Sequence, residues 1–468
     1  MIVTEMGGGS VEKAKVIQCL MFASGVNTLL QSLFGTRLSS VVGGSYAYLI
    51  PAMSIIEVRG NEMLDVDPQE RFLVTMRGIQ GAVIIGSSFQ MIIGFLGVWR
   101  NIVRFLSPLS MVPLVTFTGL GLYYLGFPII AKCAEIGIPT LIFMLIFTQY
   151  LPAYMKFKKP ICDRFAVLIS VAIAWLYAEI LTWSGAYRKS KRYSCQTDPS
   201  GLIGASAWVN FPFPLQWGAP SFRAGEAFAM LIAAVVATVE STGAFLATAR
   251  YASATPVPPS VISRGIGWLG VGTLLNGLFG CLTGSTASVE NAGLLGVTKV
   301  GSRRVVQVSS FFMITFSILG KVGAIFASIP LPIMVALYCF FFGYVASGGL
   351  GFLQSCNLNS FRTKFILGFS LFMGLSLPQY FREYQLSTGT GPVHTKALWF
   401  NDIVSVTMSS HATIAAAIAF ILDRTLPHPN KEENGSHLWQ RFVFYDNDVR
   451  SDEFYKLPFK LNRFFPPL

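Results

Sequence analysis

The sequence predicts an all-α polytopic membrane protein of about thirteen transmembrane segments, two of them broken by short extended pieces. Three observations carry this. Of 468 residues, 53% are hydrophobic and 12% charged, about half the charged fraction of an ordinary soluble domain. The mean hydropathy is +0.56. Apolar runs of about 17–25 residues, each long enough to cross a bilayer, recur along the whole chain.

In order, the runs fall at 15–34, 39–57, 76–98, 105–125, 130–151, 163–183, 226–249, 262–283, 285–300, 304–328, 330–353, 362–378 and 405–424. Most read as plain spanning helices. The runs 39–57 and 285–300 are short and interrupted by Gly, Ser or Thr. In the first, Val42-Gly43-Gly44-Ser45-Tyr46-Ala47 leads to Pro51, which suits a first helical turn because its missing N–H costs nothing there. In the second, Gly284-Ser285-Thr286-Ala287-Ser288-Val289 leads to Glu290-Asn291, with Asn291 expected to begin a half-helix. Two broken spans at corresponding places in two halves point to a transporter's binding site. The plain alternative is a pair of glycine-rich packing helices.

Irregular backbone and a carboxylate are tolerated at membrane depth only where they line a protein cavity. If 285–290 is extended, Thr286, Ser288 and Glu290 share one face, and the following half-helix turns its positive end toward the same space. Backbone donors, the Glu290 acceptor and the Asn291 amide suit a flat ligand with an alternating donor–acceptor edge. Sugars would need more polar side chains, and simple cations more carboxylates. A second intramembrane carboxylate, Glu240, lies well inside 226–249, beside Gly243 and Ala244. Such residues are costly in lipid and mark ligand or proton sites. Glu226 is expected at the interface and Lys321 to snorkel.

The net charge of +12 is not a nucleic-acid signal. Arg100, Arg104, Lys156, Lys158, Lys159, Arg164, Arg250, Arg264, Lys299, Arg303, Arg304, Arg362 and Lys364 fall in alternate loops, which places those loops and the tail in the cytosol. Arg188, Lys189, Lys191 and Arg192 lie on the opposite side in the long loop 184–225, where the charge rule is weak. Seven single cysteines without CxxC spacing argue against a disulfide framework or a zinc site, and Cys195 has no evident partner. His394, His411, His428 and His437 form no metal pattern and read as loop and tail residues. No signal peptide is evident at the N-terminus. The polar stretch from about 425 reads as a cytosolic tail, either a trafficking or partner segment or a plain extension. No nucleophile–base pair, metal cluster or phosphate loop supports an enzyme.

Glu290-Asn291-x-Gly293-x-x-x-x-Thr298-Lys299 resembles the signature of the nucleobase–ascorbate transporters: Glu, Gln or Pro, then Asn-x-Gly-x4-Thr, then Arg, Lys or Gly. Gly301-Ser302-Arg303-Arg304-Val305, Val239-Glu240-Ser241-Thr242-Gly243 and the break at Gly44-Ser45-Tyr46-Ala47 fit as well. The resemblance covers about residues 7–468 and is similar to plant members in its long loop and tail. It implies fourteen segments in two inverted halves of seven, with a core domain that shifts against a gate domain. On that pattern 1–98 is the first part of the core, 99–183 the first part of the gate and 184–225 an extracellular loop. Residues 226–328 complete the core, 329–424 complete the gate, and 425–468 form the cytosolic tail. Glu240 and Glu290 would hydrogen-bond the base, with Glu240 also coupling the proton. Tyr46 would stack on the ring or present its backbone, Val289 would offer its N–H, and Asn291 and Ser288 would shape the site. Gly293, Thr298 and Lys299 would tune specificity and gating.

Glu at the first signature position resembles members that carry uracil and purines with protons, whereas Pro goes with ascorbate and sodium. Nucleobase transport is therefore the expectation, with ascorbate the alternative, no cofactor beyond the coupling proton, and no nucleic-acid partner. A plasma-membrane location and a homodimer through the gate follow from the resemblance. Two departures stand out. Ala244 occupies a position where some members have Asp or His. The sequence also begins at what resembles the loop after the family's first span, so that span is expected to be missing and a non-transporting partner of other copies is an alternative role.

Overall fold

The computed structural model describes residues 3, 6–62, 67–154, 161–185, 195, 197, 204, 207–389, 391–427, 453–458 and 461. The basic residues expected at 156–159 and 188–192, together with His428 and His437, lie outside them.

Helix α1 (Ser10–Leu33) leads to strand β1 (Val42–Gly44), a 3-10 turn at Tyr46–Tyr48 and helix α2 (Leu49–Glu62). Then come α3 (Pro68–Phe95), α4 (Val98–Phe105), α5 (Pro108–Leu120), α6 (Ala134–Leu145) and α7 (Ile161–Trp183). The second half runs through α8 (Ala224–Tyr251), α9 (Pro259–Phe279), strand β2 (Ser285–Ala287), α10 (Val289–Thr298), α11 (Arg303–Ile318) and α12 (Gly320–Ala327). It ends with α13 (Leu331–Leu350), α14 (Phe361–Thr388), α15 (Leu398–Ser409) and α16 (His411–Thr425).

Among the described residues, six helical stretches are long and apolar enough to cross a membrane: Val11–Leu33, Pro68–Phe95, Pro108–Tyr150, Phe165–Trp183, Ala224–Tyr251 and Leu331–Gln354. Ile403–Ser409 and His411–Thr425, bent by 81°, make a seventh if counted as one. The run expected at 304–328 is divided between α11 and α12, and the run expected at 405–424 begins inside α15 and is broken at Ser410 before α16.

The helices pack in two groups. In one, α3 lies along α9 and α8, and α1 lies against α9 and α11. In the other, α5 packs on α13 and α16, α14 on α16, and α13 on α6. Small residues set the closest approach: a β-carbon on Gly94 of α3 would sit 2.1 Å from the backbone nitrogen of Gly267 in α9, so only glycine lets these backbones meet. Leu168, Leu176 and Ile180 of α7 and Phe372 of α14 face outward, each more than 60% exposed. A water-facing surface has no use for such a stripe, whereas a bilayer does.

Two expectations, on Cys195 and Arg264, are corrected here. Cys195 is paired with Cys133 in a disulfide, 62 residues apart in sequence; its partner belongs to a different apolar segment, which spacing rules do not reach. Glu226, expected at the interface, stands in the first turn of α8, where its carboxylate accepts from Arg59 Nε at 2.7 Å and Nη2 at 2.8 Å. Arg264 is not in a loop but inside α9, 3% exposed, where its Nε donates to Gly35 O at 2.8 Å.

Candidate substrate site

Both broken elements form, and they meet. β1 and β2 pair antiparallel with Val42 opposite Ala287, Gly43 opposite Thr286 and Gly44 opposite Ser285. Each strand is too short to stand alone, so its polar groups are taken up by neighbours. Val42 N–H donates to Thr28 Oγ1 at 2.9 Å, Ser45 N–H to Gly284 O at 3.0 Å and Ser288 N–H to Val41 O at 2.9 Å. Behind β2, Ser285 N–H donates to Thr273 Oγ1 at 3.1 Å and Thr273 Oγ1 donates to Gln90 Oε1 at 2.8 Å.

A serine follows each strand and starts the next helical piece. Ser45 Oγ accepts from Ala47 N–H, and Ser288 Oγ accepts from Asn291 N–H at 3.0 Å. The second half-helix thus begins after Ser288 rather than at Asn291, because the serine hydroxyl satisfies a first-turn amide. Only 285–287 is extended, which brings Thr286 to the cavity and moves Glu290 onto the first helical turn. By geometry the first amides of α10 have no partner within the helix, and their partial positive charge stands beside Glu290.

The two breaks open on one cavity with about 70 Å³ of accessible space, several times the roughly 10–15 Å³ a single water needs. Tyr46, Thr286, Val289, Glu290 and Glu240 line one side of it, and Phe117, Tyr124, Ser410 and His411 the other. Glu290 is oriented at both oxygens: Tyr46 Oη donates to Oε1 at 3.1 Å and Ser288 Oγ to Oε2 at 2.8 Å. Glu240 Oε1 accepts from Ser410 Oγ at 3.0 Å. Two carboxylates from separate helices therefore face one space, each held by a hydroxyl.

Of the remaining expected residues, Asn291 Nδ2 donates to Ser39 O at 2.9 Å, which ties α10 to the chain entering β1. Gly293 marks the contact of α10 with α13, where a β-carbon would come within 2.4 Å of Phe341 O. Thr298 donates to Leu294 O at 2.8 Å, and Lys299 caps α10 with φ 55°. That left-handed turn is the conformation glycine adopts most readily, a physical reason for glycine among the residues at this signature position. Neither Thr298 nor Lys299 is among the cavity-lining residues.

A third break went unread in the sequence. Ser410 separates α15 from α16, accepts from Thr413 N–H at 3.4 Å and delivers its own proton to Glu240. His411, expected as a loop residue, is 4% exposed and lines the cavity, stacked on Phe117 and met edge-on by Tyr123. The available signal was Ser409-Ser410-His411 inside an otherwise apolar run.

The Permease family profile for xanthine/uracil permeases matches residues 1–383. Nucleobase-ascorbate transporter 6 of Arabidopsis thaliana is 58% identical over 99% of this chain and 88% of its own length. The chain belongs to the nucleobase–ascorbate transporter family. Nucleobase-ascorbate transporter 4 of the same plant is 59% identical over 99% of this chain and 89% of its own length. Among solved structures, the transmembrane domain of a cyanobacterium bicarbonate transporter BicA aligns over 88% of this chain and 91% of that one, at 13% identity and a TM-score of 0.42. As a nucleobase–ascorbate transporter family member, the chain is a multi-pass membrane transporter for a small molecule and not an enzyme.

Proposed function

We propose that this transporter carries nucleobases of the uracil, xanthine, guanine and adenine class together with protons. The observation that supports it best is the pair Glu240 and Glu290 facing one cavity, each carboxylate oriented by a hydroxyl. A base presents adjacent N–H donors and carbonyl acceptors on a flat ring. Glu290 accepts from ring N–H groups, the first amides of α10 donate to a ring carbonyl, and Tyr46 and Phe117 offer aromatic surface to the ring faces. Glu240 takes up the coupling proton. Protonation removes the carboxylate charge that is expensive in a closed, low-dielectric site, so the loaded site moves with Glu240 neutral and each base is accompanied by the single positive charge of its proton.

On this reading α1, α3, α8, α9 and α11 with both broken elements form the moving core. Helices α5, α6, α7 and α13–α16 form the gate. The full arrangement of thirteen spans within a seven-plus-seven inverted repeat, a plasma-membrane address, a cytosolic tail and a gate-domain homodimer belong to the same proposal. Glutamate at the first signature position favours nucleobases over ascorbate.

The test is proton-gradient-driven uptake of radiolabelled uracil, xanthine, guanine and adenine in a host without its own nucleobase carriers, with ascorbate as competitor. The unmodified chain is compared with Glu240→Gln and Glu290→Ala at matched surface abundance. Saturable uptake abolished in both variants supports the reading. Uptake that survives both, or that only ascorbate displaces, refutes it.

A further inference from the structure

Residues 453–457 were expected to belong to a plain tail or a partner segment, yet the chain buries Tyr455 and Leu457 against its own helices while Glu453 and Lys456 stay exposed. Tyr455 is 3% exposed and Leu457 4%. The Tyr455 hydroxyl donates to Thr255 O, in the link between α8 and α9, at 2.7 Å. Arg264 of α9 donates from Nη2 to Tyr455 O at 3.3 Å while its Nε holds Gly35 O. Arg303, at the start of α11, donates to Phe454 O at 3.4 Å and lies 5.4 Å from the centre of the Phe454 ring. Two guanidinium groups thus read two successive backbone carbonyls, and an aromatic pair fills the space between them. The Tyr455 side chain joins a hydrophobic cluster that also contains Ala287 and Val289 of the second broken element.

The segment reaches this place from the other helix group. It follows α16 in sequence, which packs on α5 and α14, whereas its own hydrogen bonds are with the α8–α9 link, with α9 and with α11. We propose that the surface formed by Thr255, Arg264 and Arg303 is a docking site for the chain's own Glu453–Leu457 segment, which braces α9, α11 and the α8–α9 link against one another. Transport turnover then depends on that docking. The proposal rests on the transport reading above for its effect on turnover, while the docking stands on the contacts alone. Docking braces the ends of α9 and α11 behind β2 and α10. Its loss leaves the binding cavity intact but loosens the scaffold that has to move as a unit.

The full chain is compared with Tyr455→Ala and Tyr455→Phe by hydrogen–deuterium exchange of the 453–457 amides and by uptake at matched surface abundance. Tyr455→Ala is expected to speed exchange on the order of a hundredfold, as for loss of a buried aromatic ring, and to lower the maximal uptake rate with KM unchanged. Tyr455→Phe, which keeps the ring and loses one hydrogen bond, is expected to speed exchange about two- to tenfold. Exchange at 453–457 as fast as in an unstructured peptide in the unmodified chain overturns the docking. A freed segment with an unchanged maximal rate overturns the dependence of turnover on docking. The exchange measurement reads docking whether or not a base is taken up, so failure of the nucleobase reading and failure of the docking appear in different experiments.

Discussion

Replacing Arg59 with alanine should destabilise this protein far more than loss of an ordinary ion pair. Arg59 and Glu226 are 2% and 11% exposed and meet through two hydrogen bonds of 2.7 and 2.8 Å. The same guanidinium also donates to Val74 O at 2.9 Å and to Ser221 Oγ at 3.2 Å. It fits because position 78 is glycine: a β-carbon there would sit 2.2 Å from the guanidinium carbon. An exposed pair contributes about 0–1 kcal/mol. Removing one partner of a buried pair strands the other charge and costs about 3–5 kcal/mol. Replacing both, as in Arg59→Met with Glu226→Leu, relieves the desolvation penalty and should cost much less. Thermal unfolding in detergent micelles reads the difference, with a fall of several degrees expected for Arg59→Ala and a smaller one for the double variant. Equal losses in the two variants, or a loss for Arg59→Ala worth less than about 1 kcal/mol, would show that the arginine acts through packing alone. The pair also joins α2, which follows the Tyr46 turn, to α8, which carries Glu240, so uptake should fall together with stability.

Other outcomes follow from single contacts. Gly293→Ala places a β-carbon against Phe341 O and should cost about 1–3 kcal/mol of overpacking, visible as a lower melting temperature and impaired uptake. Ser288→Ala removes both a helix cap and a donor to Glu290 Oε2. It should cost about 0.5–2 kcal/mol and shift KM, and an unchanged KM would mean that Glu290 does not depend on this serine for its orientation. Breaking the Cys133–Cys195 bond, which closes a 62-residue separation, should cost up to about 4 kcal/mol by loop entropy. Reductant should then lower the melting temperature of the unmodified chain and leave Cys133→Ser unaffected.

The two breaks were legible because their composition violates what a lipid-embedded helix requires. Gly43-Gly44-Ser45 and Ser285-Thr286-Ala287 are poor helix formers in otherwise apolar runs, and a carboxylate at such depth needs a cavity. Glu240 and Glu290 stand out on that ground, and both line the same cavity. The break at Ser410 was harder to see. Three polar residues do not lower the average of a long apolar run, and a serine gains its meaning from Glu240, 170 positions away. His411 belongs to no metal-ligand pattern in the sequence, and its place comes from a helix start packed on Phe117.

By itself, then, the sequence determined the membrane class, the two broken elements and the two carboxylates placed at membrane depth. These are set by local composition against a solvent that punishes unpaired polar groups. Only the tertiary structure decided that β1 pairs with β2, that Ser288 and Ser410 each hold a different glutamate, that Arg59 finds Glu226, that Cys195 finds Cys133 and that Tyr455 returns to Thr255. Apart from the Ser288–Glu290 contact, each joins residues tens to hundreds of positions apart. Such partners are selected by the packing of whole helices, and no local pattern along the chain encodes them.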